Sequence, residues 1–171
     1  VYAALAKFHM KSFGTTQAQL AAVAAKNHAH SAHNPLSQYR EAMTVDEVMA
    51  ARKVSWPLTL PMCSPISDGA AAAILCREEE LDRFDRSRAV KIHATALRTG
   101  SDRDPQEFDR HITHLAARDA YARAGLGPDD MDVAEVHDAT AFAEIQQVEN
   151  LGFCDFGAGG ALTESGATSI G

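Results

Sequence analysis

Residues 132–151 constrain the fold more than any other stretch. DVAEVHDAT (132–140) reads as a short buried strand, and AFAEIQQVENL follows at once with helical spacing. A strand that stops at a polar tip just before a helix is where α/β proteins usually hold their chemistry. The tip here is His137, a side chain able to gain or lose a proton near neutral pH. On the residues alone, His137 either acts at the strand end or caps the helix that follows. Both readings stay open at this point.

The neighbouring text extends the pattern. Val90, Ile92, Ala94 and Ala96 alternate within 88–99, which predicts a second strand. A polar loop at 100–108 leads to a helix from about Arg110, ended by Gly125 and Gly127-Pro128. Strand, helix, strand, helix is a βαβ rhythm and predicts a right-handed parallel unit. Upstream, the all-apolar run 70–76 fits a strand buried on both faces, followed by a short charged helix at 77–81.

The first third is helical, with one long interruption. Two helical patterns open the chain, the second capped by Thr15 or Thr16 and running to about Asn27. Asn34-Pro35 marks a turn or extended segment. Thr44 with Glu47 forms a capping box that predicts a helix from 45 to about 51. Pro57, Pro61 and Pro65 then exclude a helix from 53–65 and predict an extended surface loop. The last twenty residues are glycine-rich and are expected to loop over the surface.

Composition narrows the function classes. A net charge of −7 with no basic run disfavours nucleic acid. No window approaches the roughly 20 apolar residues of a membrane span. Cys63, Cys76 and Cys154 are odd in number and widely spaced, which argues for a reducing compartment over a disulfide framework. His28, His30 and His33 cluster in a polar stretch where a zinc set and solvated loop histidines are both conceivable; with no HExxH set present, no metal is assigned. The chain starts without Met inside a helical pattern and stops after a polar tail, so we expect a portion of a longer protein.

Four blocks in order, KNHAHSAHNPLSQYR, CSPISDGAAAAILC, DVAEVHDAT and ENLGFC, resemble the thiolase superfamily, closest to its sterol-carrier-protein type. The resemblance runs from about Thr15 to Gly171 and implies an α/β fold of stacked βαβαβ halves in α/β/α layers, here incomplete. Residues 1–65 would end the loop domain and return to the first half. Residues 66–87 would supply that half's last strand and helix, and 88–171 would start the second half.

The implied chemistry is acyl transfer on an acyl-CoA or 3-ketoacyl-CoA, by Claisen condensation or thiolytic cleavage in lipid metabolism. By resemblance His137 is the catalytic residue found here, a donor to the enolate oxygen, a role worth roughly 3–4 kcal/mol of barrier in comparable oxyanion holes. Ser64 would lie against the pantetheine arm of coenzyme A, with Cys63, Met62 and Ile66 on the same wall. Thr140 stands where many relatives carry Phe and would border the acyl tunnel. Asp138 would cap or orient, and the polar block 34–40 would approach the nucleotide. The family's nucleophilic Cys and its base have no counterpart in these residues, and Cys76 is expected to be inert in a buried strand. The stretch alone should therefore be inactive.

The resemblance implies no permanently bound cofactor, a CoA thioester as substrate, a homodimer, and an accessory partner protein in one branch of the family. Location would be cytoplasmic, or peroxisomal in a eukaryote. Two rival readings remain: a retro-aldolase acting on steroid side-chain CoA esters, and a non-catalytic acyl-CoA or lipid-binding homologue.

Overall fold

The packing centres on one helix, α5 (Ala141–Asn150), in which eight of ten residues are buried. Phe142, Ile145 and Val148 supply its apolar surface, and Ala141 and Ala143 let neighbours approach. A helix buried on nearly all sides must also partner its charges. It does: Glu144 pairs with Lys26 and Glu149 with His9. The structure is a computed structural model that describes residues 1–100 and 102–170. Ser101, in the loop expected at 100–108, and Gly171 lie outside the described residues.

Around α5 stand α1 (Tyr2–Phe13), α2 (Gln17–Ser31) and α3 (Val45–Ala50). Thr16 caps α2 in a reciprocal box with Gln19, and Leu20, Ala21, Val23 and Ala24 turn inward. The expected end near Asn27 falls short by four residues. Nothing before Asn34-Pro35 breaks the helix, and the Ser31 hydroxyl donates to the His28 carbonyl in its last turn. α3 opens at the Thr44–Glu47 box read from the sequence. The segment 53–65 folds into a hairpin of β1 (Lys53–Ser55) and β2 (Leu58–Thr59), then a 3-10 turn at Leu60–Met62. Leu20, Val48, Leu58, Met62, Phe142 and Ile145 form the heart of the core.

In the second half, α4 (Ile112–Ala124) is stopped by Gly125 in the left-handed region, as expected. The glycine-rich end is a correction to the loop reading, because α6 (Gly159–Glu164) forms there and packs on α2 and α5. A Cβ on Gly159 would lie 2.7 Å from the Ile145 carbonyl oxygen. The glycine therefore permits close helix contact, and packing overrides its poor helix propensity.

The three segments expected as strands, 70–76, 88–99 and 132–137, carry no strand assignment. Among the described residues none pairs with a neighbouring strand, and without one a strand has no ladder to close. Several of their large apolar residues stay outside: Ile74 is 79% exposed and Val90 89%. Cys76, expected in a buried strand, is exposed. The short helix expected at 77–81 is a 3-10 stretch, Glu78–Arg83, with nothing buried beneath it.

Candidate functional site

The N-terminus of α5 meets the segment that follows the hairpin. Cys63 and Thr140 form an isolated antiparallel bridge between segments far apart in sequence. Next to it, the Ser64 backbone N–H and hydroxyl both donate to the Ala139 carbonyl, at 3.1 and 3.2 Å. Pro61 and Pro65 stiffen this strip from either side, and Met62 anchors it in the core at 1% exposure. Thr140 is buried and caps α5, its hydroxyl accepting from the Ala143 N–H at 3.4 Å. Four expected site residues, Met62, Cys63, Ser64 and Thr140, thus come together at one helix end.

Burial pushes the Cys63 thiol above its ordinary pKa, so the thiol form prevails near neutral pH. Its Sγ–H points to the Thr59 carbonyl at 3.6 Å. Cys154 is pushed up to about 11, by burial first and then by Glu149 and Asp155. Neither cysteine is an activated nucleophile.

The strip 60–65 forms one wall of an open cleft of about 980 Å³. The lining also includes His28 from α2 and residues 37–43, among them Tyr39, Arg40 and Glu41. His28 Nδ1 lies 3.2 Å from the Glu41 carbonyl oxygen, and its ring stacks near Tyr39 at 6.3 Å between centroids. Part of the polar block read from the sequence, residues 37–40, therefore lines the same cleft as Cys63 and Ser64.

His137 sits apart from these four. It is exposed, lines neither this cleft nor a second one of about 790 Å³ behind α2, and makes no hydrogen bond among the described residues. Asp138 lines both clefts, as does Asn27 of α2. His28, His30 and His33 engage different surroundings: the backbone N–H of Ile170 donates to His30 Nε2 at 3.1 Å, while His33 is exposed. Desolvation, then Lys26, lowers the His30 pKa and favours its neutral ring. Among the described residues no group of three or more His, Cys, Asp or Glu could hold a metal ion, and no helix is long and apolar enough to cross a membrane.

The reading from sequence missed Lys26, Asn27 and Glu144. Asn27 Nδ2 donates to Asp138 and to Glu144, and the Lys26 ammonium pairs with Glu144. The available signal was Glu144 itself, a carboxylate set among Ala141, Phe142, Ala143 and Ile145. A charge in that company requires a partner.

Known proteins share this text and this course of the chain. Residues 94–171 match the family model described as thiolase C-terminal domain-like. An acetyl-CoA acetyltransferase of Methanothermobacter thermautotrophicus is 42% identical over 99% of this chain and 45% of its own length. Sterol carrier protein 2 of Rattus norvegicus is 38% identical over the whole chain and 32% of its own length. The chain thus spans less than half of these relatives. A solved Ltp2-ChsH2(DUF35) aldolase superposes with a TM-score of 0.77 at 23% identity, covering 96% of this chain and 45% of that one. The helices and connecting segments therefore trace a thiolase-like α/β course, with the sheet segments left unpaired among the described residues.

Proposed function

We propose that this chain, which belongs to the thiolase superfamily, takes part in acyl transfer on CoA thioesters, in the direction of Claisen condensation or of thiolytic cleavage. The observation that carries the reading is the join between the strip 62–65 and the start of α5. The Cys63–Thr140 bridge and the double donation from Ser64 to Ala139 fix a wall beside the chain that presents His137. The cleft along that wall suits a pantetheine arm, with Tyr39, Arg40 and His28 toward a nucleotide.

In this reading His137 donates to the thioester oxygen as negative charge builds on the enolate. Its ring has no competing hydrogen bond among the described residues, which leaves a donor available to substrate. The nucleophile that carries the acyl group, and the base that moves the α-proton, are not assigned to this chain's cysteines. The raised thiols of Cys63 and Cys154 suit structural roles better. Acetyl-CoA acetyltransferase among the relatives agrees with a CoA thioester as substrate.

A second reading is favoured by the structural neighbour, an aldolase that includes a DUF35 component. Under it the same wall binds a CoA ester, while a carbon–carbon bond is cleaved by a retro-aldol route with an accessory protein. The two separate in one assay of the full-length protein. The acyl-transfer reading expects CoA-dependent loss of a 3-ketoacyl-CoA, with kcat lowered roughly 100- to 1000-fold in His137→Ala. Turnover of a 3-hydroxyacyl-CoA without added CoA would favour the aldolase. Unchanged kcat in His137→Ala would remove that residue from the mechanism, and CoA binding without product would point to a ligand carrier.

A further inference from the structure

The segment that carries His137 is tied to α2 by one side-chain amide. Asn27 Nδ2 donates to Asp138 Oδ2 at 3.1 Å and to Glu144 Oε2 at 2.9 Å. Both amide hydrogens are thereby used, one on each carboxylate. Lys26 pairs with the other oxygen of Glu144, Oε1, and compensates that buried charge. Asp138 has no such cation among the described residues, where Asn27 is the side chain that hydrogen-bonds it. Asn27 thus holds two like charges, one buried and one exposed, on either side of the cap of α5. Asn27 and Asp138 each line both clefts, so their contact borders both.

We propose that Asn27 is a positioning residue for the thioester chemistry. By gripping Asp138 it fixes the turn 137–139, and with it the direction of the adjacent His137 and the Ala139 carbonyl that Ser64 holds from the other side. Without the amide, the Asp138 carboxylate loses its side-chain donor, and the turn relaxes toward solvent. The partner residues stand 111 and 117 positions away in the chain, so the contact locks two distant segments. The inference rests on the reading of His137 as a donor to the enolate oxygen.

The test compares the full-length wild type with Asn27→Leu and with the double variant Asn27→Leu/Asp138→Asn, using a 3-ketoacyl-CoA and CoA. Leucine keeps the branched shape of Asn27, at a somewhat larger volume, and removes its donors. Loss of these two hydrogen bonds should lower kcat roughly tenfold, while KM stays within about twofold. The double variant should recover part of the lost kcat, because Asp138→Asn removes the carboxylate that the lost donor had held. General loosening of α2 would lower kcat alike in both variants. An unchanged kcat in Asn27→Leu, or equal falls in the two variants, overturns the proposal.

Failure of the underlying reading looks different: no thiolysis by wild type, or full activity in His137→Ala. Positioning can then still be read in protein carrying isotope-labelled histidine. The His137 ring signals should shift in Asn27→Leu and move back in the double variant. Signals that do not move overturn the proposal on that ground as well.

Discussion

Two parts of this chain obey different rules. The part formed by α1, α2, α3, α5 and α6 buries Leu20, Val23, Val48, Phe142 and Ile145 and partners its internal charges. The segments 70–76, 88–99 and 132–137 are as apolar in places, yet leave Ile74, Val90 and Val133 in solvent. Hydropathy does not separate the two. A helix closes its backbone hydrogen bonds within itself, so an amphipathic helix needs only a surface to lie on. A strand needs a second strand at the right register before its side chains can be buried at all.

The largest effect expected from this contrast lies at Phe142. It is 1% exposed and stands at the centre of the helical part, edge-on to the buried ring of His9. Phe142→Ala should cost about 3–5 kcal/mol in denaturant unfolding of the 171-residue chain. A cost below about 1 kcal/mol would mean that α5 does not anchor the core, and the contrast between the two parts would collapse.

The same contrast explains what was legible in the sequence. The Thr44–Glu47 box, the Thr16 cap and the Gly125 stop could be read because each is decided within four residues. Strands 70–76, 88–99 and 132–137 were read from alternation and apolar runs, which report what a segment could bury and not whether a partner is there. α6 was missed because glycine speaks against a helix locally, while Gly159 is required by its contact with Ile145. The site divides in the same way. The resemblance to the thiolase superfamily implied Met62, Cys63, Ser64 and Thr140, and the structure places them at one helix end. The Asn27 link to Asp138 and Glu144 is a long-range choice of partner, marked in sequence only by a carboxylate in an apolar helix.

The cysteines give a smaller effect that sharpens the contrast, since one lies in each environment. Cys76 is exposed in the unpaired segment, whereas Cys154 is half-buried with its pKa pushed up to about 11. At pH 8 a thiol with so high a pKa is almost wholly protonated, and only the thiolate reacts with iodoacetamide. The higher intrinsic nucleophilicity of its thiolate offsets part of that deficit, so Cys154 should react roughly tenfold or more slowly than Cys76. Cys63, raised by burial, should lag as well. The sign is fixed by the direction of the shift: the Cys154 rate should climb as pH approaches 11, and peptide mapping after timed labelling reads it directly. Equal rates at pH 8 would place Cys76 in a shielded strand.

The smallest effect is the most discriminating, because the thiolase resemblance and the structure differ on it. The resemblance implies that 70–76 is a strand within a sheet, where Ile74 would be buried and its replacement by a polar residue would cost several kcal/mol. The structure leaves Ile74 at 79% exposure with no ladder beside it. Ile74→Ser in the 171-residue chain should therefore change the unfolding free energy by less than about 0.5 kcal/mol. A cost of about 2 kcal/mol or more would show that the segment is paired and covered. The difference between the two parts would then be one of partners, since the same apolar side chain costs nothing to replace when no sheet covers it and much when one does.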